Sequence, residues 1–499
     1  MLMNILDSIK DLRKVFLILV FMLVFFIALS PPQDADMWWH LAAGKEMVNQ
    51  GKILTTDIFS YTHKGENWTN AFWLSDIILF LAYELGGYLG ITVLVATVAV
   101  FSMLVIYKHT SNHPFPLPLL IILLASLAIA PVWTPRPQIF SFLLLAILDY
   151  GLNGKDEYLL KRPWLLVVLF VLWANMHGGF IWGFLLLFAF IIGNGFDNLL
   201  KRDNSRSLQQ LGHLSIWALI AGLAIAINPN GFTLWKLPLY TVGVSIQSIT
   251  EWSSPDFHRL DLHPMLWLLF LIIAGIGAGN KPLRWSDILK TIGFSYMAFI
   301  SQRSIGPFIL IAAPVAIESL SALWLQWRPV LSNQMQKLYQ SKASVPVPAP
   351  VAIALNLTII GLSVFMLFAH AYSVSMDQRV HGGLPMKAVR WIRVNQPEGR
   401  MFNAYNWGGY LQWELPQYPV FIDGRADLYG EKTITDWWRV VNATDEGVAL
   451  LDSWQVNFVI LEPGWPILEK LDQTGWQVVY EDEVAIIMGR QLSSGNPAP

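Results

Sequence analysis

The side chains of this chain that could do chemistry sit in short polar turns between long apolar stretches. They are Asp34, Asp36 and His40 near the start, then Asp57, Arg136, His177, Glu251 and Arg303. A carboxylate held in such a turn can take the proton of a hydroxyl group. A guanidinium there is costly unless it meets an anion, and its planar fork matches a phosphate or a carboxylate. Imidazole can donate to a phosphate or carry a proton. Together these types suit the transfer of a group from a phosphorylated, amphiphilic molecule to a hydroxyl acceptor.

The first of these turns reads Pro31-Pro32-Gln33-Asp34-Ala35-Asp36-Met37-Trp38-Trp39-His40-Leu41. Residues 36–50 have the spacing of a helix closed by Gly51, with Trp38, Trp39, Leu41 and Met47 placed to lie on a lipid interface. Asp36 falls at the head of that helix, where the dipole favours a carboxylate, and either caps it or acts on a substrate. Asp34 reads as solvated. Asp57 and Glu251 are each a second carboxylate for the same site or a loop charge. Arg136 and Arg303 pair with a substrate phosphate, or with Glu251 or Asp57. His177, in the turn Asn175-Met176-His177-Gly178-Gly179, is a phosphate donor or a structural histidine.

Those turns need elements to hold them. With 499 residues, 54% of them hydrophobic and only 14% charged, the chain reads as a membrane protein. A net charge of -2 offers no basic surplus for nucleic acid, and the absence of cysteine removes disulfides, thiolate metal sites and Cys nucleophiles. Eleven apolar stretches are visible, near 15–30, 74–107, 117–131, 138–150, 163–175, 179–195, 211–227, 265–279, 288–300, 305–325 and 351–372. The first resembles a signal peptide but lacks a small-residue cleavage site, and reads as a retained span. Threaded alternately from a cytoplasmic N-terminus, they leave 16 of the 23 Lys and Arg before residue 373 inside, among them Lys155, Lys161, Arg162, Lys201, Arg202, Arg206, Lys281 and Arg284. This bias predicts an extracytoplasmic C-terminus. Three stretches, 138–150, 163–175 and 288–300, fall short of the roughly 20 residues a crossing needs. Either 163–195 is one helix, or the outer turns of these spans lie below the membrane surface and line an outward-facing cavity.

Two domains follow: a transmembrane part, 1–372, with outer loops 31–71 and 228–264, and a more charged tail, 373–499. Residues 341–350 read as a Pro- and Ala-rich linker on the cytoplasmic side. The tail reads as a small α/β domain with a helix at 385–395, strands at 420–422 and 458–461, and a hairpin of 476–480 with 484–488. Asp423-Gly424-Arg425 is then at the end of a strand, a usual place for a site, although an internal salt bridge among Asp423, Arg425 and Asp427 serves equally.

A first outer loop opening on an Asp, an interfacial helix after it, many spans and an extracytoplasmic tail resemble the GT-C superfamily of membrane glycosyltransferases. That resemblance implies a polytopic α-helical fold of about 11 transmembrane helices with a C-terminal α/β domain, a lipid-linked sugar donor, and Asp36 as the catalytic residue, with Asp34 as the second choice. The stretch Asn403-Ala404-Tyr405-Asn406-Trp407-Gly408-Gly409-Tyr410-Leu411 is similar to the acceptor motif of oligosaccharyltransferase catalytic subunits. It implies acceptor-side roles for Trp407 and Tyr410, joined by Asp423, Arg425 and Asp427, but no Asp stands between Trp407 and Tyr410, so Asn-X-Ser/Thr recognition is not implied. The combination of the Trp-Trp-His, Trp-Gly-Gly-Tyr and Asp-Gly-Arg-Ala-Asp motifs also resembles a group of bacterial membrane proteins.

The expected function is therefore transfer of a sugar from a polyprenyl-phosphate donor to an extracytoplasmic glycan, lipid or protein acceptor, in the cytoplasmic membrane. Arg136, His177, Arg303 and His40 would bind the donor. Asp36, Asp57 and Glu251 are the candidate ligands for Mg²⁺ or Mn²⁺, though no spacing dictates a metal site and arginines can neutralise a phosphate without one. The rival readings are a transporter or flippase for a lipid-linked glycan, which often shows inverted repeats not found here, and a non-catalytic subunit of an envelope assembly.

Overall fold

The computed structural model describes residues 11–202, 205–237, 250–279, 282–339, 349–375 and 382–490. Within the sequence readings, Lys281, most of the 341–350 linker and residues 238–249 of the second outer loop lie outside these residues. The chain divides into two compact units, one of residues 1–31, 88–225 and 247–377, the other of 32–87, 226–246 and 378–499.

In chain order the larger helices begin with α1 (Leu12–Ala28), α2 (Met37–Gln50), α3 (Trp73–Thr110), α4 (Leu117–Ile129), α5 (Gln138–Asn153) and α6 (Leu165–Met176). They continue with α7 (Phe180–Leu199), α8 (Leu208–Ala224), α9 (His263–Ala278), α10 (Trp285–Ile300), α11 (Ile305–Tyr339) and α12 (Ala349–Ser375). Each of the apolar stretches forms its own helix, and 163–195 is two, broken after Met176 where His177 turns extended. Among the described residues five helical segments are long and apolar enough to cross a bilayer: Trp73–Thr110, Phe180–Leu199, Leu260–Ala278, Gln302–Pro329 and Ile353–Val374. Shorter apolar helices run over Leu117–Val132, Gln138–Asn153, Leu165–Met176 and Leu208–Ala224. Along α12, Leu355, Leu362, Phe365, Phe368 and Tyr372 are all exposed, a face that requires lipid as its solvent. This is a multi-pass membrane protein.

Among the described residues of the first unit, Asp149, Asp287 and Lys290 are buried as a paired cluster. Lys290 of α10 lies 3.0 Å from Asp149 of α5 and 3.0 Å from Asp287, and Arg284 lies 2.8 Å from Asp287. An unpaired ammonium at such a place would cost several kcal/mol, roughly, so the carboxylates are what allow it there. The helix α3 passes from the second unit to the first and breaks at Gly86 and Gly87. Gly87 has φ 58° and ψ -143°, a backbone that a residue with a β-carbon resists.

The second unit contains α2, the start of α3 and the tail. Its sheet has four strands, β1 (Arg400–Asn403), β2 (Val456–Leu461), β3 (Trp476–Glu481) and β4 (Ile486–Arg490), in the order β1-β2-β4-β3. β1 is parallel to β2, and the other pairs are antiparallel. Helices α13 (Met386–Asn395), α14 (Gly408–Glu414), α15 (Ala426–Val441), α16 (Asp445–Ser453) and α17 (Pro466–Asp472) complete it. The helix, the strand at 458–461 and the hairpin fall where the sequence places them.

Residues 420–422 do not form a strand of this sheet, which corrects the sequence reading. Their backbone finds its partner in the first loop: Val420 N–H donates to Phe59 O at 3.0 Å, Tyr61 N–H to Val420 O at 3.1 Å, and Thr62 Oγ1 to Phe421 O at 2.7 Å. On the other side the Asn403 side chain receives Phe421 N–H at 2.8 Å and donates to Ile422 O at 2.8 Å. A buried backbone must satisfy its hydrogen bonds, and here it does so with a distant loop and one amide side chain.

Candidate active site

Two aspartates share the entry to α2 and do different things. Asp34 is buried, not solvated as its sequence context implies, and its Oδ1 accepts the Asp36 N–H at 2.9 Å. That side-chain turn fixes the backbone just ahead of the helix. Asp36 stands at the N-cap position in a helical conformation, and its carboxylate makes no capping hydrogen bond. Of the two roles open to Asp36, capping is therefore not the one it takes.

The helix that follows runs to Gly51, whose left-handed backbone closes it as expected. Its aromatic face is not on a lipid interface. Trp38, Trp39, Leu41 and Met47 are all buried, with Tyr410 edge-on to Trp38 at 5.0 Å and Trp68 edge-on to Trp39 at 6.0 Å. The correction has a physical reason: residues 53–73 and the tail supply an apolar cover that the lipid was expected to provide.

Three motifs far apart in sequence meet on this helix. A β-carbon built on Gly409 would lie 3.0 Å from Trp39 N and 3.1 Å from Ala35 O, so the Trp-Gly-Gly-Tyr segment lies backbone to backbone against the head of α2. At Gly424 the β-carbon would lie 1.9 Å from Asp36 Oδ1 and 3.1 Å from Trp39 Nε1. The Asp36 carboxylate thus rests on the bare backbone of Gly424.

The residues either side of Gly424 form a buried ionic knot. Arg425 Nε and Nη2 donate to Asp423 at 2.9 and 2.6 Å, and Nη1 lies 2.7 Å from Asp57. Tyr429 OH donates to Asp423 at 2.7 Å, and Gln412 Nε2 donates to the same carboxylate. The guanidinium also lies over the Trp68 ring, 4.8 Å from its centroid. Asp57 accepts from Ser60 N–H at 3.0 Å and from Ser60 Oγ at 2.7 Å. Burial pushes the Asp57 carboxyl up, but the Arg425 charge and the Ser60 bonds outweigh it and hold it below the usual carboxylate range. Asp57 is therefore spent as the counter-ion of Arg425, and the salt bridge open to Asp423 and Arg425 in the sequence is formed. Asp427 stands apart. Among the described residues no hydrogen bond reaches its Oδ2, with the Trp68 indole N–H near but out of hydrogen-bonding geometry, and burial pushes its carboxyl up to about 6 against the pull of Arg425. Trp407 is buried with Nε1 donating to Gly383 O at 2.8 Å, and Tyr410 is buried against Trp38.

The remaining candidates lie in the first unit. Arg136 Nη1 donates to Glu251 Oε2 at 2.5 Å, the protein-carboxylate pairing left open by the sequence. Arg303 sits over the Trp252 ring, 5.6 Å from its centroid. His177 is buried, and its Nδ1 accepts from Gly179 N–H at 2.9 Å and from Ser141 Oγ at 2.7 Å, while Ser141 accepts from Trp173 Nε1 at 2.6 Å.

Among the described residues no group of three or more His, Asp or Glu side chains converges as a metal-ligand set. Asp57 and Glu251, two of the three candidate ligands, hold arginines instead. Among the described residues these donors do not form a site for a divalent cation.

Sequence reasoning passed over Asp76, which is fully buried and 2.7 Å from His40 Nδ1. An acid three residues into an apolar helix was the available signal. It also missed Tyr429 and Gln412, whose roles depend on the turn that brings Asp423 to them.

The arrangement of helices with a loop-and-tail unit is similar in fold to three solved transferases. The chain is similar to the archaeal oligosaccharyltransferase AglB from Archaeoglobus fulgidus, solved with an inhibitory peptide and a dolichol-phosphate, at a TM-score of 0.55 and 13% identity over 90% of this chain and 69% of that one. It is similar to ArnT from Cupriavidus metallidurans in the apo state, at 0.50 and 16% over 93% and 95%. With the arabinofuranosyltransferase AftD from Mycobacteria the values are 0.50 and 12%, over 96% of this chain and 40% of that one. No protein-family model matches the sequence, and no curated protein sequence matches it. At these identities the likeness is one of fold.

Proposed function

We propose that the chain is a glycosyltransferase that moves a sugar from a polyprenyl-phosphate-linked donor to an acceptor hydroxyl on the extracytoplasmic side. The observation that carries this reading is Asp36: a carboxylate at the head of the first loop helix of a GT-C fold, fixed by Asp34 and Gly424 and not used to cap its helix. As general base it takes the acceptor proton while the acceptor oxygen attacks the anomeric carbon. The bond from that carbon to the phosphate oxygen breaks, and polyprenyl phosphate leaves with the electron pair. Arg136 and Arg303 would neutralise the phosphate, with His177 as a neutral member of the donor site. Arg136 already holds a carboxylate, that of Glu251, where a phosphate oxygen would bind. The tail's part is support, since Asp423, Arg425, Trp407 and Tyr410 build the floor on which α2 rests, and the acceptor side is left to Asp427 and the surface around it.

The test is to incubate the purified protein with a panel of polyprenyl-phosphate sugars and hydroxyl acceptors and to measure released polyprenyl phosphate. Asp36→Asn is expected to lower turnover by about 10²–10⁴-fold while leaving the thermal transition unchanged. Full transfer by the Asn variant rejects the assignment. Tight donor binding without turnover by the wild type favours the transporter or envelope-subunit readings.

A further inference from the structure

Arg136 stands between two prolines, in Pro135-Arg136-Pro137, just ahead of α5. Each proline ring fixes its own φ, and Pro137 also restricts the residue before it, so the backbone that carries this guanidinium has little freedom. The Arg136 side chain is 13% exposed and donates through Nη1 to Oε2 of Glu251 at 2.5 Å. The Glu251 side chain is 43% exposed, so its carboxylate can be reached from outside. The next residue, Trp252, lies under the second guanidinium, with Arg303 5.6 Å from the ring centroid. One dipeptide thus meets both arginines proposed for the donor phosphate. Burial, and after it the charge of Arg303, hold His177 well below the usual histidine range, which leaves the phosphate charge to the two arginines.

The segment does not need the Glu251 side chain to stay in place. Ser301 Oγ donates to Glu251 O at 3.2 Å, Gln302 N–H to Ser253 O at 3.1 Å, and Gln302 Nε2 to Ser253 Oγ at 3.3 Å. The backbone of 251–253 is therefore tied to the turn before α11, while the carboxylate can leave Arg136 by rotation about its own side-chain bonds. A carboxylate and a phosphate offer the same pair of oxygens to a guanidinium. We propose that Glu251 is an internal stand-in for the donor phosphate, holding Arg136 until the polyprenyl phosphate displaces it. This rests on the glycosyltransferase reading for the identity of the donor, and adds to it a residue that sets donor affinity. The contact keeps a half-enclosed guanidinium paired at all times. It also lowers the apparent affinity of every donor, since only molecules with Arg136 released can bind one. The same exchange in reverse helps polyprenyl phosphate to leave after transfer.

Calorimetric binding of farnesyl phosphate, a short prenyl phosphate, to the full-length protein in detergent tests this without turnover. Glu251→Gln keeps the shape and removes the charge, and should lower Kd by about 5–10-fold. Glu251→Asp, with a shorter reach, should fall between the two. The gain has to pass through Arg136. Arg136→Gln should weaken binding by about 10-fold or more, and adding Glu251→Gln to it should then change nothing further. Farnesol, which lacks the phosphate, should bind wild type and Glu251→Gln alike. Unchanged or weaker farnesyl phosphate binding in Glu251→Gln means that the carboxylate only orients Arg136, and overturns the inference while leaving the glycosyltransferase reading standing. An equal gain for farnesol, or a gain that survives Arg136→Gln, overturns it as well. Tighter phosphate binding by Glu251→Gln in a protein that transfers no sugar would sustain the exchange and reject the glycosyltransferase reading.

Discussion

Asp34 and Asp36 are two positions apart and chemically the same, yet the Asp34 carboxylate accepts the Asp36 N–H while the Asp36 carboxylate makes no capping bond to its helix. The sequence shows that an acid opens the helix, but which of the two is the anchor depends on the turn between them. Asp36 was legible because polar residues between apolar runs are few. Asp76 was not, since a hydropathy reading absorbs a single acid into the apolar helix around it, and its contact with His40 is seen only in the fold. Asp427 shows a third situation, with burial raising its carboxyl from 3.8 to about 6. The folded form therefore binds the proton more tightly than the unfolded chain, and stability falls as pH rises from about 4 through 6. Asp427→Asn is expected to leave the midpoint of thermal unfolding unchanged at pH 3.5 and to raise it at pH 8, by an amount equivalent to roughly 1–3 kcal/mol. Unfolding of the full-length protein in detergent at the two pH values checks this, and an equal effect at both would reject the titration of Asp427 as its cause.

At the scale of elements, helices were the easiest to read and strands the hardest. The apolar stretches each became a helix because a run of such residues has few other ways to satisfy its backbone in lipid. The strand β1 went unseen, as its four residues Arg400–Asn403 are too short to show alternation. Residues 420–422 looked like a strand by composition and instead pair with Phe59 and Tyr61, a partner that no local pattern announces. Glycines set how closely the elements approach, and the two in contact with different atoms predict different outcomes. A β-carbon on Gly408 would meet Ile422 O at 2.1 Å, backbone that cannot give way, whereas on Gly424 it would meet the Asp36 carboxylate, which can rotate. Gly424→Ala is therefore expected to lower kcat by about 10²-fold with little loss of thermal stability, as a displaced catalytic group does. Gly408→Ala should lower the unfolding temperature instead. Circular dichroism melts beside turnover assays separate the two, and full activity in Gly424→Ala would show that Asp36 needs no such floor.

For the whole molecule, composition alone pointed to the membrane, and the early loop and late tail pointed to a resemblance that the solved structures bear out at the level of fold. What composition could not supply is the merging of residues 32–87 with the tail into one unit, because the contacts concerned join stretches separated by most of the chain. The charge bias predicts that Lys64 and Lys155, both exposed, lie on opposite sides of the membrane. The chain has no cysteine, so single Lys64→Cys and Lys155→Cys variants can be labelled without background. An impermeant maleimide added to intact spheroplasts should modify position 64 and spare position 155, and equal labelling would reject the threading.

The hydrogen bond from Thr62 to Phe421 spans 359 residues of sequence. At ordinary rates of synthesis, about 5–20 residues per second, the segment that carries Tyr61 and Thr62 leaves the ribosome roughly 20–70 s before its mate exists. Throughout that interval its backbone donors and the apolar side of α2 must be kept soluble by something else, a chaperone, the insertion machinery or water. Maturation of this protein is thus timed by the arrival of its last quarter, and a nascent chain stalled before residue 421 would leave the segment around Asp36 without its fold.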